Sequence, residues 1–240
     1  MKIAIIGYGK MGKEIASILS QIPSISYFLI DNEEDWHTQA DAFSTCDVAI
    51  EFSTPATVVE NLKRCIEKKI PVVTGTTGWA QYKAEILDLA KKNNTSLMYG
   101  SNFSIGANLF FELNRLLAQK MKEQAQYTVS IEEIHHTQKK DKPSGTAVTI
   151  AETIINEAEN LTQWHLDDET IHADSIPIQA QRTGDIFGTH KVLWESDVDS
   201  IEIIHTANNR SGFAQGAVKA ALWLAENKGV FRFEDVYRQV

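Results

Sequence analysis

Six residues near the start of the chain, Gly7-Tyr8-Gly9-Lys10-Met11-Gly12, constrain its fold more than any others. They follow Lys2–Ile6, an apolar β-branched run of the kind that forms a buried parallel strand. They open a stretch, Met11–Gln21, with Ile15, Leu19 and Ile22 at helical spacing. Between a strand and a helix, a G-x-G-x-x-G sequence has a mechanical reading. The first glycine permits the tight turn, the second lets backbone approach a pyrophosphate, and the third lets helix and strand pack closely. The helix N-terminus then offers unpaired N–H groups to the phosphates. Asp31 stands about 20 residues past the last glycine, at the end of the next predicted strand, Ser26–Ile30. A carboxylate there accepts hydrogen bonds from both ribose hydroxyls of NAD and repels a 2′-phosphate. Asn32 follows it where an Arg would clamp that phosphate, and Lys10 and Lys13 are the alternative cations within reach. The expected coenzyme is NADH or NADPH, with the balance toward NADH.

The first hundred residues continue the alternation. Asp47–Phe52, Pro71–Thr74 and Ser96–Tyr99 read as strands, and Thr54–Lys69 and Trp79–Asn93 as helices. Such alternation builds a doubly wound parallel sheet with right-handed crossovers. The pattern then changes. A long amphipathic helix, Ile105–Lys122, precedes a period-2 strand, Tyr127–Ile134. A helix over Thr146–Ala158 is followed by strands Ile176–Arg182, His190–Trp194 and Ile201–Thr206 without helices between them. Consecutive strands of this kind predict a second, α+β domain with a mixed sheet. The last helix, Phe213–Asn227, is expected to return to the first domain. The division is therefore 1–103 with 209–240 as a dinucleotide-binding domain, and 104–208 as the second.

Composition narrows the function classes. Lys and Arg total 23 against 32 Asp and Glu, a formal charge of −9. Nucleic-acid and anionic-membrane binding need a basic surface instead. No apolar run reaches the ~18 residues of a membrane span, and the apolar N-terminal run is too short for a signal peptide. Cys46 and Cys65 have neither disulfide-framework nor metal-ligand spacing. No metal is expected, and a reducing cytoplasm suits two small buried thiols.

Two further loops fall at the C-terminal ends of predicted strands, where open α/β sheets bind ligands. They are Gly75-Thr76-Thr77-Gly78 and Gly100-Ser101-Asn102-Phe103. Taken alone, each is equally compatible with ordinary turn chemistry. The densest chemistry lies in EEIHHTQKKDKPSGTA, residues 132–147. Histidine passes protons near neutral pH, and lysine holds a carboxylate or gives up a proton. Pro143-Ser144-Gly145-Thr146 breaks the chain and restarts a helix, with Ser144 or Thr146 as cap, leaving N–H groups free for an anion. A solvated basic loop before an ordinary helix is the plainer alternative. Adjacent His135 and His136 on extended chain point opposite ways, which disfavours a shared metal.

The same loop resembles the E-x-H-H-x-x-K-x-D-x-P-S-G-T-A signature of the dihydrodipicolinate reductase family. The similarity extends to GYGKMG, EFSTPAT, PVVTGTTG, SNFSIGANLF, RTGDIFGTH and HTANNRSGFAQGAVKAALWL, and so to most of the chain. The resemblance implies a Rossmann-like domain plus a mixed-sheet substrate domain, assembled as a homotetramer through that sheet. It implies NAD(P)H-dependent reduction of a cyclic dicarboxylate in lysine and diaminopimelate synthesis. It assigns proton transfer to His135 and Lys139, and substrate contact to His136, Gly145 and Thr146, with Ser144 beside them. It assigns coenzyme contact to Gly75–Thr77 and Gly100–Phe103, and ribose contact to Asp31. Two departures stand out. Lys142 replaces a small residue before Pro143. The short segment between Asp31 and Asp47 suggests that the first domain lacks an element there. Another two-domain dehydrogenase would need a different catalytic set, and no Cys sits in a suitable nucleophile loop. A nucleotide-sensing protein would keep GYGKMG without needing His135, Lys139 and Ser144–Thr146 together.

Overall fold

The computed structural model describes residues 1–158, 160–167, 174–209 and 211–237. In chain order the elements are β1 Lys2–Ile6, α1 Lys10–Leu19, β2 Ser26–Ile30, α2 Glu33–Thr38, α3 Ala40–Ser44, β3 Val48–Glu51, α4 Val58–Glu67, β4 Val72–Thr74, α5 Lys83–Lys92 and β5 Leu97–Tyr99. They continue with α6 Ile105–Met121, β6 Thr128–His135, α7 Gly145–Glu157, β7 Gln163–Leu166, β8 Ser175–Arg182, β9 Gly188–Glu195, β10 Ser200–Ala207, α8 Ser211–Glu226, β11 Val230–Arg232 and α9 Phe233–Tyr237. The chain divides into two compact units, Met1–Ile105 with Ser211–Val240, and Gly106–Arg210.

The first unit holds a six-stranded sheet, β11-β5-β4-β3-β1-β2, parallel at every pairing. β1, β3 and β4 are buried on both faces because helices cover both faces. Ile3, Ile5, Val48 and Ile50 pack against α1 and α8 on one side. Ala4, Ile6, Ala49 and Val72 pack against α4 and α5 on the other. Strand order reverses between β1 and β3, so their carboxyl ends leave a crevice at the switch point.

The second unit holds a mixed sheet, β10-β9-β6-β8-β7. The β10–β9 and β9–β6 pairs are antiparallel, whereas β6–β8 and β8–β7 are parallel. Along β6 the inward residues are Val129, Ile131, Glu133 and His135. Strict alternation thus carries two polar side chains onto a face whose earlier positions are core.

Several expectations on element boundaries are revised. The helix expected from Thr54 begins at Val58, because the Ser53, Thr54 and Thr57 hydroxyls bond one another in a turn instead. The helix expected over Trp79–Asn93 opens with a 3₁₀ turn at Ala80–Tyr82. The short segment after Asp31 holds α2 and α3, and Trp36 packs edge-on against Phe43. The short elements β7, β11 and α9 carry too little periodicity to be read from sequence.

Close approach fixes α8. A Cβ at Gly216 would overlap the carbonyl oxygen of Phe103, whose own ring is 1% exposed and lies 4.5 Å from that of Phe233. Gly216→Ala is expected to lower the unfolding free energy by about 1–3 kcal/mol in urea titration. Gly212→Ala, whose Cβ would stand 3.8 Å from the Ser104 hydroxyl, is expected to cause no loss.

Candidate functional site

At the switch point, backbone geometry builds a cavity of about 410 Å³ lined by Gly7, Tyr8, Gly9, Asp31, Trp36 and Ser53, among others. Gly7 adopts φ +90°, and a Cβ there would overlap the Phe52 carbonyl. A Cβ on Gly12 would overlap the Gly7 carbonyl, so α1 seats directly on the turn. Gly9 faces open space at the start of α1, and no side chain caps that helix. The Tyr8 N–H donates to Asp31 Oδ1 at 2.6 Å, fixing the carboxylate beside the glycines. An open glycine, an uncapped helix start and a carboxylate at the second strand's end fit a dinucleotide's pyrophosphate and ribose. Lys10 is exposed at the rim, while Met11 is partly buried against the core.

Thr76, Thr77, Gly100 and Ser101 line a second cavity of about 230 Å³. Gly75 is held by its N–H to the Glu51 carbonyl, and a Cβ there would overlap the Phe52 ring. Asn102 Oδ1 accepts from the Ser104 N–H at 2.8 Å. Phe103 differs from the other predicted coenzyme residues. Its ring is in the core against Phe52 and Phe233, which leaves no aromatic face for a ligand. Behind both loops lies a residue that the sequence reading passed over. The fully buried Glu51 carboxylate accepts from Thr74 Oγ1 at 2.6 Å, from the Ser53 N–H at 3.1 Å, and from the Ser53 hydroxyl. It ties the ends of β3 and β4 together.

In the second unit the loop between β6 and α7 is organised around Glu133, whose side chain is fully buried. Its Oε1 accepts from the Ser144 N–H and from Arg182 Nη2, both at 3.0 Å. Its Oε2 faces His135 Nδ1 at 3.3 Å and His190 Nε2 at 3.7 Å, and neither contact is a well-directed hydrogen bond. Ser144 is the α7 cap, accepting from the Ala147 N–H at 3.2 Å, and its hydroxyl lies 3.2 Å from His190 Nε2. Arg182 also donates to the Lys139 and Asp141 carbonyls, so one guanidinium spans the carboxylate and the loop. His135 is 6% exposed, and a Cβ at Gly188 would come within 2.9 Å of its Nε2. The Gly188 position therefore admits no side chain while His135 keeps this pose.

Lys139 reaches Asp141 Oδ2 at 2.8 Å, and the pairing holds the Asp141 carboxyl below its ordinary value, helped by the Gly145 N–H. A carboxylate of the chain thus sits between a lysine and the start of α7, where a substrate carboxylate was expected to bind. Gly145 is exposed, with nothing near its Cβ position; Thr146 and His136 are half-buried. Lys140 is exposed. Glu133, Arg182 and His190 received no role from the sequence. The signal was available in the alternation of β6 and of β9, which turns Gly188, His190, Val192 and Trp194 inward. In the sheet register Glu133 lies opposite His190, and His135 opposite Arg182.

The electrostatics follow from this packing. Burial alone would raise the Glu133 carboxyl, but His135, His190, Ser144 and Arg182 together hold it well below the carboxylate range. Burial pushes the His190 imidazole down against the pull of Glu133. Glu133, His135 and His190 bring ligand-type atoms within 4.8 Å of one another. Arg182 and the Ser144 N–H satisfy Glu133 Oε1, whereas Oε2 and the Nδ1 atoms of His135 and His190 are buried without a hydrogen-bond partner.

The crevice at the sheet's switch point and the glycine turn define the class: a dinucleotide-dependent oxidoreductase with a separate α+β unit. Comparison with known proteins makes the assignment specific. The pattern described as "Dihydrodipicolinate reductase, N-terminus" matches residues 1–103, and "Dihydrodipicolinate reductase, C-terminus" matches residues 106–237. The 4-hydroxy-tetrahydrodipicolinate reductase of Christiangramia forsetii is 45% identical over 98% of this chain and 97% of its own length. That of Methanoculleus marisnigri is 34% identical over 98% of each. The solved structure of a dipicolinate-bound dihydrodipicolinate reductase from Paenisporosarcina sp. TG-14 shares the fold, with a TM-score of 0.81 at 24% identity over 98% of this chain and 99% of that one. This chain belongs to the dihydrodipicolinate reductase family. It is an NAD(P)H-dependent oxidoreductase of lysine and diaminopimelate biosynthesis.

The ion pair has a consequence for stability. The native Glu133 carboxyl sits below its ordinary value of 4.5, so the unfolded chain takes up that proton first as pH falls. The stabilisation is complete above the carboxylate range and declines below it. His190 acts in the same direction from below its ordinary 6.5. Glu133→Gln, which leaves Arg182 facing no charge, is expected to cost about 3 kcal/mol at pH 7 in urea unfolding. The gap from wild type should narrow as the pH is taken below 4.5.

Proposed function

We propose that this chain reduces 4-hydroxy-tetrahydrodipicolinate or dihydrodipicolinate to tetrahydrodipicolinate, with Lys139 and His135 on the proton-donating side and NADH as the preferred coenzyme. The observation that carries the reading is the loop itself. Glu133 and Arg182 fix His135, Ser144 and the Lys139 backbone to one point at the start of α7.

The nicotinamide supplies a hydride when bound. The residues that would hold the dinucleotide are Gly7–Gly12 at the pyrophosphate, Asp31 at the ribose, and the Thr76–Thr77 and Gly100–Asn102 loops toward the reacting end. Substrate binding uses the lysine and helix-start arrangement that Asp141 now occupies. A substrate carboxylate exchanges with Asp141, accepting from Lys139 Nζ and from the N–H groups of Gly145 and Thr146. His136, whose carbonyl accepts from the Lys139 N–H, offers a further hydrogen-bonding contact to the substrate. Concentrating positive charge around a cyclic imine makes it a better hydride acceptor. Lys139, the more exposed of the two proton carriers, delivers the proton, and His135 is held behind it by Glu133.

A reducing cytoplasm suits an enzyme with two buried free thiols, both pushed up by burial, Cys46 to about 11. Among the described residues no helix is long and apolar enough to cross a membrane. The edge strand β10 exposes Ile201 and Ile204, apolar side chains that a contact between copies through the mixed sheet would cover. Light scattering is expected to give a tetramer.

The kinetic test separates the loop residues. Lys139→Ala is expected to lose about 100-fold or more in kcat, the scale of an acid–base or electrostatic contribution. His135→Ala should lose kcat with NADH binding nearly unchanged, because the dinucleotide residues belong to the other unit. Lys140→Ala should remain within about threefold of wild type, as an exposed lysine without a partner role does. Near-wild-type kcat in Lys139→Ala, with activity abolished in Lys140→Ala, would overturn the residue assignment.

A further inference from the structure

The ribose corner of the larger cavity contains an arrangement that the reductase reaction does not itself require. Directly after Asp31, Asn32 caps α2 by accepting from the Asp35 N–H at 3.0 Å. The first turn of that helix is Glu33, Glu34 and Asp35. Glu33 lines the cavity, and its two carboxylate oxygens accept from Nη1 and Nη2 of Arg64 at 3.1 and 2.7 Å. Arg64 comes from α4, and its Nε donates to Glu60 at 3.1 Å. Its guanidinium lies over the Trp36 ring, 4.9 Å from the centroid, and Trp36 also lines the cavity.

A guanidinium held over an indole, with its fork directed at a neighbouring oxyanion, is the kind of group that grips a phosphate in two-point fashion. Here a carboxylate of the chain already takes both fork nitrogens. Glu33 is 67% exposed and Arg64 27%, so the pair is at the surface and exchangeable. A ribose bearing a free 2′-hydroxyl needs only Asp31 and leaves the pair intact. A ribose bearing a 2′-phosphate meets Asp31, Glu33 and Asp35 first, and reaches Arg64 only by displacing Glu33.

We infer that Glu33 and Arg64 form a lock that sets coenzyme choice, with Glu33 masking a phosphate-binding arginine and thereby holding the enzyme to NADH. The inference rests on the reading that this cavity takes the adenosine ribose. Trp36 and Glu60 keep Arg64 in place when Glu33 is absent, so removing one carboxylate exposes a fork already positioned for phosphate.

The test measures kcat/KM with NADH and with NADPH, together with calorimetric binding of 5′-AMP and 2′,5′-ADP, on wild type, Glu33→Ala and Glu33→Ala/Arg64→Ala. Wild type is expected to favour NADH and to bind 2′,5′-ADP no more tightly than 5′-AMP. Glu33→Ala should raise the NADPH-to-NADH ratio by about tenfold or more and tighten 2′,5′-ADP by a similar factor. Adding Arg64→Ala should return both to the wild-type values. An unchanged ratio in Glu33→Ala would overturn the lock, as would a gain that survives loss of Arg64, since the latter reports only removal of a negative charge. If wild type binds the nucleotides and the ratio does not move, the lock alone fails. If wild type binds neither coenzyme, the dinucleotide reading fails and the lock with it.

Discussion

A single buried carboxylate, Glu133, holds together the loop between β6 and α7 and the strands beside it in the second unit. It lies at the end of an otherwise apolar face, one alternation step beyond Ile131 and one before His135. An uncompensated charge at that depth would be too costly to keep. The cost is met by Arg182 from β8, the Ser144 N–H from the start of α7, and the imidazoles facing it from β6 and β9. Because each partner comes from a different element, satisfying one charge fixes the mutual positions of four segments. The loop bearing Lys139 has little regular structure of its own, and it takes its path from Arg182 donating to its carbonyls.

The first unit solves a similar problem with a similar device. Glu51 ends β3 fully buried and draws in Ser53 and Thr74. The loops that face the Gly7–Asp31 and Thr76–Ser101 cavities are therefore anchored from behind by side-chain oxygen chemistry, while their front surfaces are glycine backbone and hydroxyls. The glycines act by close approach: Gly7 and Gly75 each press onto Phe52, and Gly12 onto the turn. A rigid back and a bare front suit the binding of a long, mostly polar cofactor through backbone groups.

Charge is distributed to match. The chain is acidic as a whole, and acid concentrates at the start of α2 directly after Asp31, with Arg64 neutralised by Glu33 and Glu60. In the second unit, Arg182 is committed to Glu133, and Lys139 is paired with the exposed Asp141. Lys139 is partly buried, but its partner Asp141 is exposed and so easily exchanged.

The alternating first unit, the mixed-sheet second unit and the glycine and β6–α7 loops were legible in the residue pattern, because these depend on periodicity and on turn chemistry local to a few residues. GYGKMG needs a strand before it and a helix after it, and both were legible within twenty residues. Ser144 was legible as a helix cap for the same reason. Tertiary structure alone decided what supports those loops. The partners of Glu133 lie up to 57 residues away in sequence, on strands whose register brings Glu133 opposite His190 and His135 opposite Arg182. Likewise, Phe103 reads as a loop residue beside a coenzyme site, yet its ring belongs to the core because α8 returns from the far end of the chain and presents Gly216 to its carbonyl. Arg64 reads as one exposed charge on an amphipathic helix until α2 sets Trp36 and Glu33 against it. Local pattern is fixed by backbone geometry over a few residues, whereas the choice of partner for a buried charge is fixed by which strands become neighbours.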